Sequence, residues 1–324
     1  MAEVTMAEAL NEALRGSLQR DDRVLVLGED IGKLGGVFRI TDKLQDEFGP
    51  ERVFDTPLAE SAILGASLGL AMYGYKPVAE IQFDGFVYPG FNQIVSHIAK
   101  MRYRSRGRAG VQMVVRIPFA GSIGAAEHHS ESPEAYFAHT AGLKVVVPSS
   151  ALEAFDLLTQ SIDDPDPVIF LEPKSRYWAK QTGELGANSL PIGKAAIARE
   201  GHDCTIVTYG AMVTRALEVA TAAAEDGVEI EVIDLRSLVP FDLETIAASV
   251  SKTKRAVVVH EAPLTAGFGA EVAAQVTEEV FADLEAPILR VTGYDTPYPP
   301  AKVENHYVPS LDRILGAVDR LLSY

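Results

Sequence analysis

Val53-Phe54-Asp55-Thr56-Pro57-Leu58-Ala59-Glu60-Ser61-Ala62-Ile63-Leu64-Gly65-Ala66-Ser67-Leu68-Gly69-Leu70-Ala71-Met72-Tyr73 runs from an apolar strand end into a helix of small and apolar residues with no charge after Glu60. The next apolar run, Val78-Ala79-Glu80-Ile81-Gln82-Phe83, reads as a strand. Glu60 stands at the mouth of that helix, where a carboxylate becomes partly buried. Burying a charge costs free energy unless it is paired or protonated. The reason for a carboxylate placed this way is often chemistry. The alternative is a plain dipole cap, worth about 0.3–1 kcal/mol.

The same alternation extends outward from this unit. Arg23–Gly28, Val111–Arg116, Lys144–Val147 and Pro167–Leu171 read as further strands, with helices near Gly90–Tyr103 and over Ala151–Asp163. Near-continuous apolar strands separated by helices imply a mostly parallel sheet covered on both faces. Residues 173–203 lose the rhythm, with Pro173, Gly183, Gly186, Asn188, Pro191, Gly193 and Gly201. It then restarts as strands 204–208, 229–233, 256–260 and 287–292 with helices 212–226, 242–250, 268–282 and 309–322. The expected organisation is α/β with two domains, 1–180 and 204–324, joined by a linker at 181–203.

The chain has 324 residues, 47% hydrophobic and 23% charged, with a formal net charge of −16. That charge argues against nucleic acid or an anionic membrane as a main partner. The single cysteine, Cys204, opens the apolar run Cys204-Thr205-Ile206-Val207 and reads as a core residue. The segment Met1-Ala2-Glu3-Val4-Thr5 has no signal or transit features, and uncharged stretches are too short or too broken to span a bilayer. A cytoplasmic, membrane-free protein is the expectation.

Open α/β sheets bind ligands beyond the carboxyl ends of their strands. Glu29, the run Leu58 to Glu60, Gln82, and the loop carrying His128 and His129 all fall at such ends. One crevice is therefore expected to collect Glu29, Glu60, Gln82 and a histidine. Imidazole suits proton transfer near neutrality. Adjacent histidines without spaced partners do not make a zinc site. No G-x-S-x-G elbow, phosphate-binding loop or G-x-G-x-x-G fingerprint is present. The missing fingerprint counts against a nicotinamide-dependent oxidoreductase. Lys100, Arg102, Arg104, Arg106 and Arg108 form a basic cluster, read as a solvated helix end or a contact for an acidic partner. Ser161-Ile162-Asp163-Asp164-Pro165-Asp166-Pro167 reads as a turn stabilised by Asp side chains, with oxygens that also suit a hard cation.

Taken together, Asp55–Glu60, Ala79–Phe83, Glu127–Ser130, His139–Pro148 and Gly293–Pro300 resemble the β subunit of the decarboxylating component of 2-oxo acid dehydrogenase complexes. That component is thiamine-diphosphate dependent, and the resemblance runs over residues 3 to 322. It implies a transketolase-like pyrimidine-binding domain followed by a transketolase C-terminal-like domain. Glu60 stands where the family's cofactor-activating glutamate stands, to hydrogen-bond an aminopyrimidine nitrogen and favour the imino tautomer. Glu29, Leu58, Ala59, Gln82 and Phe86 match other cofactor-lining positions. His129 matches the active-site histidine, with a proton-handling role in reductive acylation, and His128 is its neighbour. Met113, Ser161, Ile162, Asp164 and Asp166 match a structural potassium site, with Asp166 where relatives often carry Asn.

The family holds the cofactor's diphosphate through Mg2+ and a Gly-Asp-Gly motif, which does not occur in this chain. The resemblance thus implies half of an enzyme. An α subunit would bring the diphosphate side in an α2β2 heterotetramer, docked on a lipoyl-bearing acyltransferase core. Ile81-Gln82-Phe83 and Ser132-Pro133-Glu134-Ala135-Tyr136-Phe137 look closer to branched-chain than to pyruvate enzymes. A pyruvate enzyme and a non-catalytic scaffold subunit remain the alternatives.

Overall fold

A computed structural model describes residues 2–187 and 189–324. Its strands are β1 (Ala2–Thr5), β2 (Val24–Gly28), β3 (Val53–Asp55), β4 (Lys76–Glu80), β5 (Val114–Phe119), β6 (Lys144–Val146) and β7 (Val168–Pro173). They continue as β8 (Lys180–Gly183), β9 (Ala196–Arg199), β10 (Cys204–Thr208), β11 (Ile230–Asp234), β12 (Ser237–Val239), β13 (Ala256–Pro263) and β14 (Leu289–Gly293). The larger sheet runs β12-β6-β7-β5-β4-β2-β3 and is parallel except for β12. The smaller runs β14-β13-β10-β11-β9 and is parallel except for β9.

The expected architecture follows from side-chain chemistry. Val24-Leu25-Val26-Leu27-Gly28 is buried throughout, as a strand sandwiched between helical layers must be. On one face of the larger sheet, helices Met6–Arg20 and Ala151–Asp163 cover Val26, Val78 and Val114. The first of these opens with a reciprocal cap between Thr5 and Glu8. On the other face, helix Glu60–Met72 lays Ile63, Leu64 and Leu68 against Leu27, Ala79 and Val115. The opposite face of that helix, with Ser61, Ala62, Ala66 and Gly69, is uncharged as well and is exposed.

Several boundaries depart from the sequence reading. The strand expected over Val78–Phe83 ends at Glu80, because β2 ends opposite it at Gly28. Ile81-Gln82-Phe83 therefore form a loop. The helix expected from Gly90 starts earlier, as a 3-10 run Asp84–Gly90, and continues as π over Gln93–Ile98 and α over Ala99–Arg104. The strand expected over 111–116 lies at Val114–Phe119. The short strands β1, β8, β9 and β12 carry too little apolar pattern to be read locally. Among the described residues, no helix is long and apolar enough to cross a membrane.

Candidate functional site

The neighbours β5, β4, β2 and β3 are parallel, so their carboxyl ends open on one edge of the sheet. Glu29 follows β2, Leu58 to Glu60 follow β3, Gln82 follows β4, and the histidine loop follows β5. Gln82 Nε2 donates to the Glu29 carbonyl at 3.3 Å and to Asp30 Oδ2 at 3.4 Å, tying two of these ends together. Burial, then the carboxylates of Asp30 and Glu60, push the Glu29 carboxyl above its usual range.

Glu60 is the first residue of its helix and is only 8% exposed. Its carboxylate has no hydrogen bond or ion pair among the described residues. A carboxylate left this way is open to a partner from outside the chain. Beside it, the apolar side chain of Leu58 is 69% exposed. Gly90 packs against the helix start, where an added Cβ would stand 2.6 Å from Leu64 Cδ1 and 3.2 Å from the Glu60 carbonyl oxygen. The glycine sets how closely helix Glu60–Met72 approaches the 3-10 run.

Ala120 to Glu131 form a loop closed at its base, where the Ala120 N–H donates to the Glu131 carbonyl at 2.9 Å. His129 sits in an aromatic setting. Its ring stacks on Phe83 at 4.1 Å between centroids and meets Phe86 edge-on at 5.1 Å. His129 Nδ1 lies 2.9 Å from the His128 carbonyl. A carbonyl only accepts, so in the neutral ring this contact places the proton on Nδ1 and leaves Nε2 to accept. His128 is exposed, with Nδ1 3.5 Å from Glu127 Oε1. A Cβ on Gly85 would overlap the His128 carbonyl, so this contact requires glycine.

Asp84 and Lys174 support this arrangement, and sequence reasoning missed them. Lys174 Nζ donates to Asp84 Oδ1 at 2.7 Å, with both side chains buried. Asp84 Oδ2 accepts from the Glu131 N–H at 2.9 Å, which pins the far end of the histidine loop. Lys174 also lies 5.9 Å from the Phe83 ring centroid. Asp84 and Lys174 are 90 positions apart, and no local pattern links them. Asp84 stands out only as a charge between Phe83 and Gly85-Phe86, and Lys174, among Glu172, Ser175 and Arg176, carries no signal at all.

The five residues of the expected cation site do cluster between β5, β7 and the end of helix Ala151–Asp163, and their oxygens are already partnered. Asp164 Oδ2 accepts from Lys144 Nζ at 2.5 Å and Oδ1 from the Asp166 N–H at 2.9 Å. Arg102 pairs with Asp166. The Ile162 carbonyl accepts from Gln112 Nε2 at 3.0 Å, the Met113 carbonyl from the Val168 N–H at 3.0 Å. The Ser161 hydroxyl donates to the Leu157 carbonyl at 2.6 Å. The Asp-stabilised turn read from the sequence is thus present. Among the described residues no group of three or more His, Cys, Asp or Glu side chains is placed to hold a metal ion. Cys204 is fully buried, and burial pushes its thiol up to about 12, far from nucleophilic use.

Comparison with known proteins accords with this geometry. The family model for the transketolase pyrimidine binding domain matches residues 2–179, and that for the transketolase C-terminal domain matches residues 193–314. A pyruvate dehydrogenase E1 component subunit beta from Leifsonia xyli is 55% identical, over 98% of this chain and 95% of the relative. A 3-methyl-2-oxobutanoate dehydrogenase subunit beta from Mycobacterium tuberculosis is 54% identical, over 98% of this chain and 92% of the relative. A 2-oxoisovalerate dehydrogenase subunit beta from Pseudomonas aeruginosa is 48% identical, over 98% and 95%. Among solved structures, a split-gene transketolase described as an inactive beta4 tetramer superposes with a TM-score of 0.83. At 24% identity, covering 99% of this chain and 98% of that one, it bears on the fold alone. With both domain models matched in order and relatives of this identity over nearly the whole length, the chain belongs to the β subunits of the 2-oxo acid dehydrogenases, built on the transketolase fold.

Proposed function

We propose that this chain, joined to an α subunit, decarboxylates a branched-chain 2-oxo acid on thiamine diphosphate and passes the acyl group to a lipoyl group. The observation that carries the reading is Glu60, 8% exposed at the carboxyl edge of a parallel sheet, with a carboxylate that has no partner among the described residues. A ring nitrogen of the aminopyrimidine is the partner it would share a proton with. The other residues fit the same half of the cofactor. Leu58, Ala59 and Phe86 offer apolar walls, while Gln82 and Glu29 offer polar edges. When bound, thiamine diphosphate supplies the carbon nucleophile for the 2-oxo group. Glu60 holds the pyrimidine in register and shares its proton. His129, with Nε2 free, takes the proton-handling role as the acyl carbon is oxidised to a thioester and the lipoyl disulfide is reduced.

Residues 1–180 then form the pyrimidine side, 204–324 the C-terminal domain and 181–203 the connection, whose strand β9 already joins the smaller sheet. The diphosphate and Mg2+ fall to the α subunit, since no Gly-Asp-Gly occurs here. The exposed, uncharged face of helix Glu60–Met72 supports a subunit contact beside the site, because a helix apolar on all sides is normally covered. An α2β2 assembly on a lipoyl-bearing acyltransferase core, in the cytoplasm, completes the reading.

The branched-chain preference rests on the loop residues Ile81-Gln82-Phe83 and Ser132–Phe137. The rings of Phe83 and Phe86 at His129 support it, as an apolar wall for an aliphatic side chain. The deciding measurement is kcat/KM of the co-expressed α and β subunits. A branched-chain 2-oxo acid is expected to exceed pyruvate by about 10- to 200-fold, the discrimination extra methylenes give in an apolar pocket. Preference for pyruvate would make this the pyruvate enzyme's subunit. Absence of decarboxylation with either substrate would leave a scaffold.

A structural potassium ion at Met113, Ser161, Ile162, Asp164 and Asp166 is a separate part of the proposal. Lys144 and Arg102 already neutralise the carboxylates, so main-chain carbonyls would have to hold the ion, and it takes no part in the reaction. Melting in potassium against choline tests this. An ion at a hundred times its Kd stabilises by about 2.7 kcal/mol, and equal melting in both salts removes it.

A further inference from the structure

The histidine loop is gripped from the C-terminal half of the chain. The Gly121 N–H donates to Glu261 Oε2 at 3.1 Å, the Ser122 N–H to the Tyr298 hydroxyl at 3.0 Å, and the Gly124 N–H to Glu304 Oε1 at 3.1 Å. The Tyr298 hydroxyl in turn donates to Glu304 Oε2 at 3.0 Å. Ala120, Ser122 and Gly124 have φ of 67, 65 and 71°. Two of these are non-glycine residues held in the left-handed region, which costs free energy unless the surroundings fix it. A Cβ on Gly121 would overlap the Tyr298 hydroxyl, so the ring and the loop backbone are in direct contact. Tyr298 is 6% exposed and packs on Tyr307 at 5.0 Å between centroids. Burial and the nearby Glu304 carboxylate push its hydroxyl well above the usual range, so it stays protonated and able to donate.

Alternating right- and left-handed backbone turns successive N–H groups to one side, an arrangement that receives anions and polar oxygens. Here oxygens of the C-terminal half fill it. We propose that Tyr298 and Glu304 are positioning residues for His129, holding the start of its loop while Asp84 holds the end. The inference rests on the role given to His129 above. It gives the segment after β14 a task in the chemistry, although that segment supplies none of the candidate cofactor-lining residues.

The test uses the α/β complex with Tyr298→Phe, Glu304→Ala and Glu304→Gln. Tyr298→Phe removes the acceptor for Ser122, and Glu304→Ala the acceptor for Gly124. Both are expected to speed amide exchange across residues 121–131 by about three- to tenfold, the value of one hydrogen bond. Transfer of the acyl group to a free lipoyl domain is expected to fall about tenfold or more through misplacement of the imidazole. Decarboxylation read with an artificial electron acceptor should stay within about twofold of the parent complex, since Glu60 is untouched. Glu304→Gln keeps an oxygen for Gly124 and should restore most of the exchange protection. Unchanged exchange in both Tyr298→Phe and Glu304→Ala overturns the clamp. Equal loss of both half-reactions, with a lowered melting temperature, overturns the positioning role in favour of general support. A parent complex with neither half-reaction refutes the proposed function instead, and the exchange result still decides the clamp.

Discussion

Glu60→Gln in the assembled α/β complex is expected to lower decarboxylation by about 10²–10⁴-fold, the range associated with a positioned proton-transfer group. The amide keeps the shape of the side chain and loses its capacity to share a proton. Stability should move the other way or hardly at all. Glu60 is 8% exposed and its carboxylate has no partner among the described residues, so the neutral amide relieves a partly desolvated charge. Against that stands the loss of a favourable helix-dipole interaction of about 0.3–1 kcal/mol. The two nearly cancel. Melting within a degree or two of the parent, with activity gone, is the expected pair of results. Normal turnover by the variant would remove Glu60 from the chemistry and leave it a helix cap.

Arg116→Met is expected to have the largest effect on folding. Arg116 is fully buried on the central strand β5, between β4 and β7. Its Nε and Nη2 donate to the two oxygens of Glu172 at 2.6 and 2.9 Å, and Nη1 donates to Glu80 Oε2 at 2.6 Å. The Tyr177 hydroxyl completes the group by donating to Glu172 Oε2 at 2.6 Å. Burial opposes the guanidinium charge, and Glu172 followed by Glu80 more than offsets it, raising the Arg116 pKa. Burial pushes the Glu80 carboxyl up. Methionine fills similar volume while stranding two buried carboxylates, and breaking such a pair costs about 3–5 kcal/mol. Arg116→Lys keeps the charge without the planar fork and should fall between. Urea midpoints of the three proteins decide the matter. A methionine variant within about 1 kcal/mol of the parent would show that the network adds little stability, as some buried ion pairs do.

Much of this molecule is legible in its sequence because the signals are local. The strand Val24–Gly28 and the helices Ala151–Asp163 and Met212–Glu225 follow from apolar runs and their period. Strand ends fix where ligands bind in a parallel sheet, so Glu29, Glu60, Gln82 and the histidine loop could be placed at one edge before any contact was known. The strand ending at Glu80 was harder, since its last pairing depends on where β2 stops. The edge strands β9 and β12 were not legible, because each is defined by a neighbour distant in the chain.

Local chemistry pointed to the sheet, the edge where its strands end and the candidate carboxylate, because apolar period and strand ends are written in consecutive residues. Only the tertiary structure decided that Glu60 lacks a partner among the described residues and that His129 lies on Phe83 with Nδ1 tied down. It alone showed that Asp84, Lys174, Tyr298 and Glu304 hold the loop, and that Lys144 and Arg102 already occupy the carboxylates expected to serve a cation. Each of these facts is a contact between residues far apart in sequence, fixed by how the sheets, helices and loops close on one another.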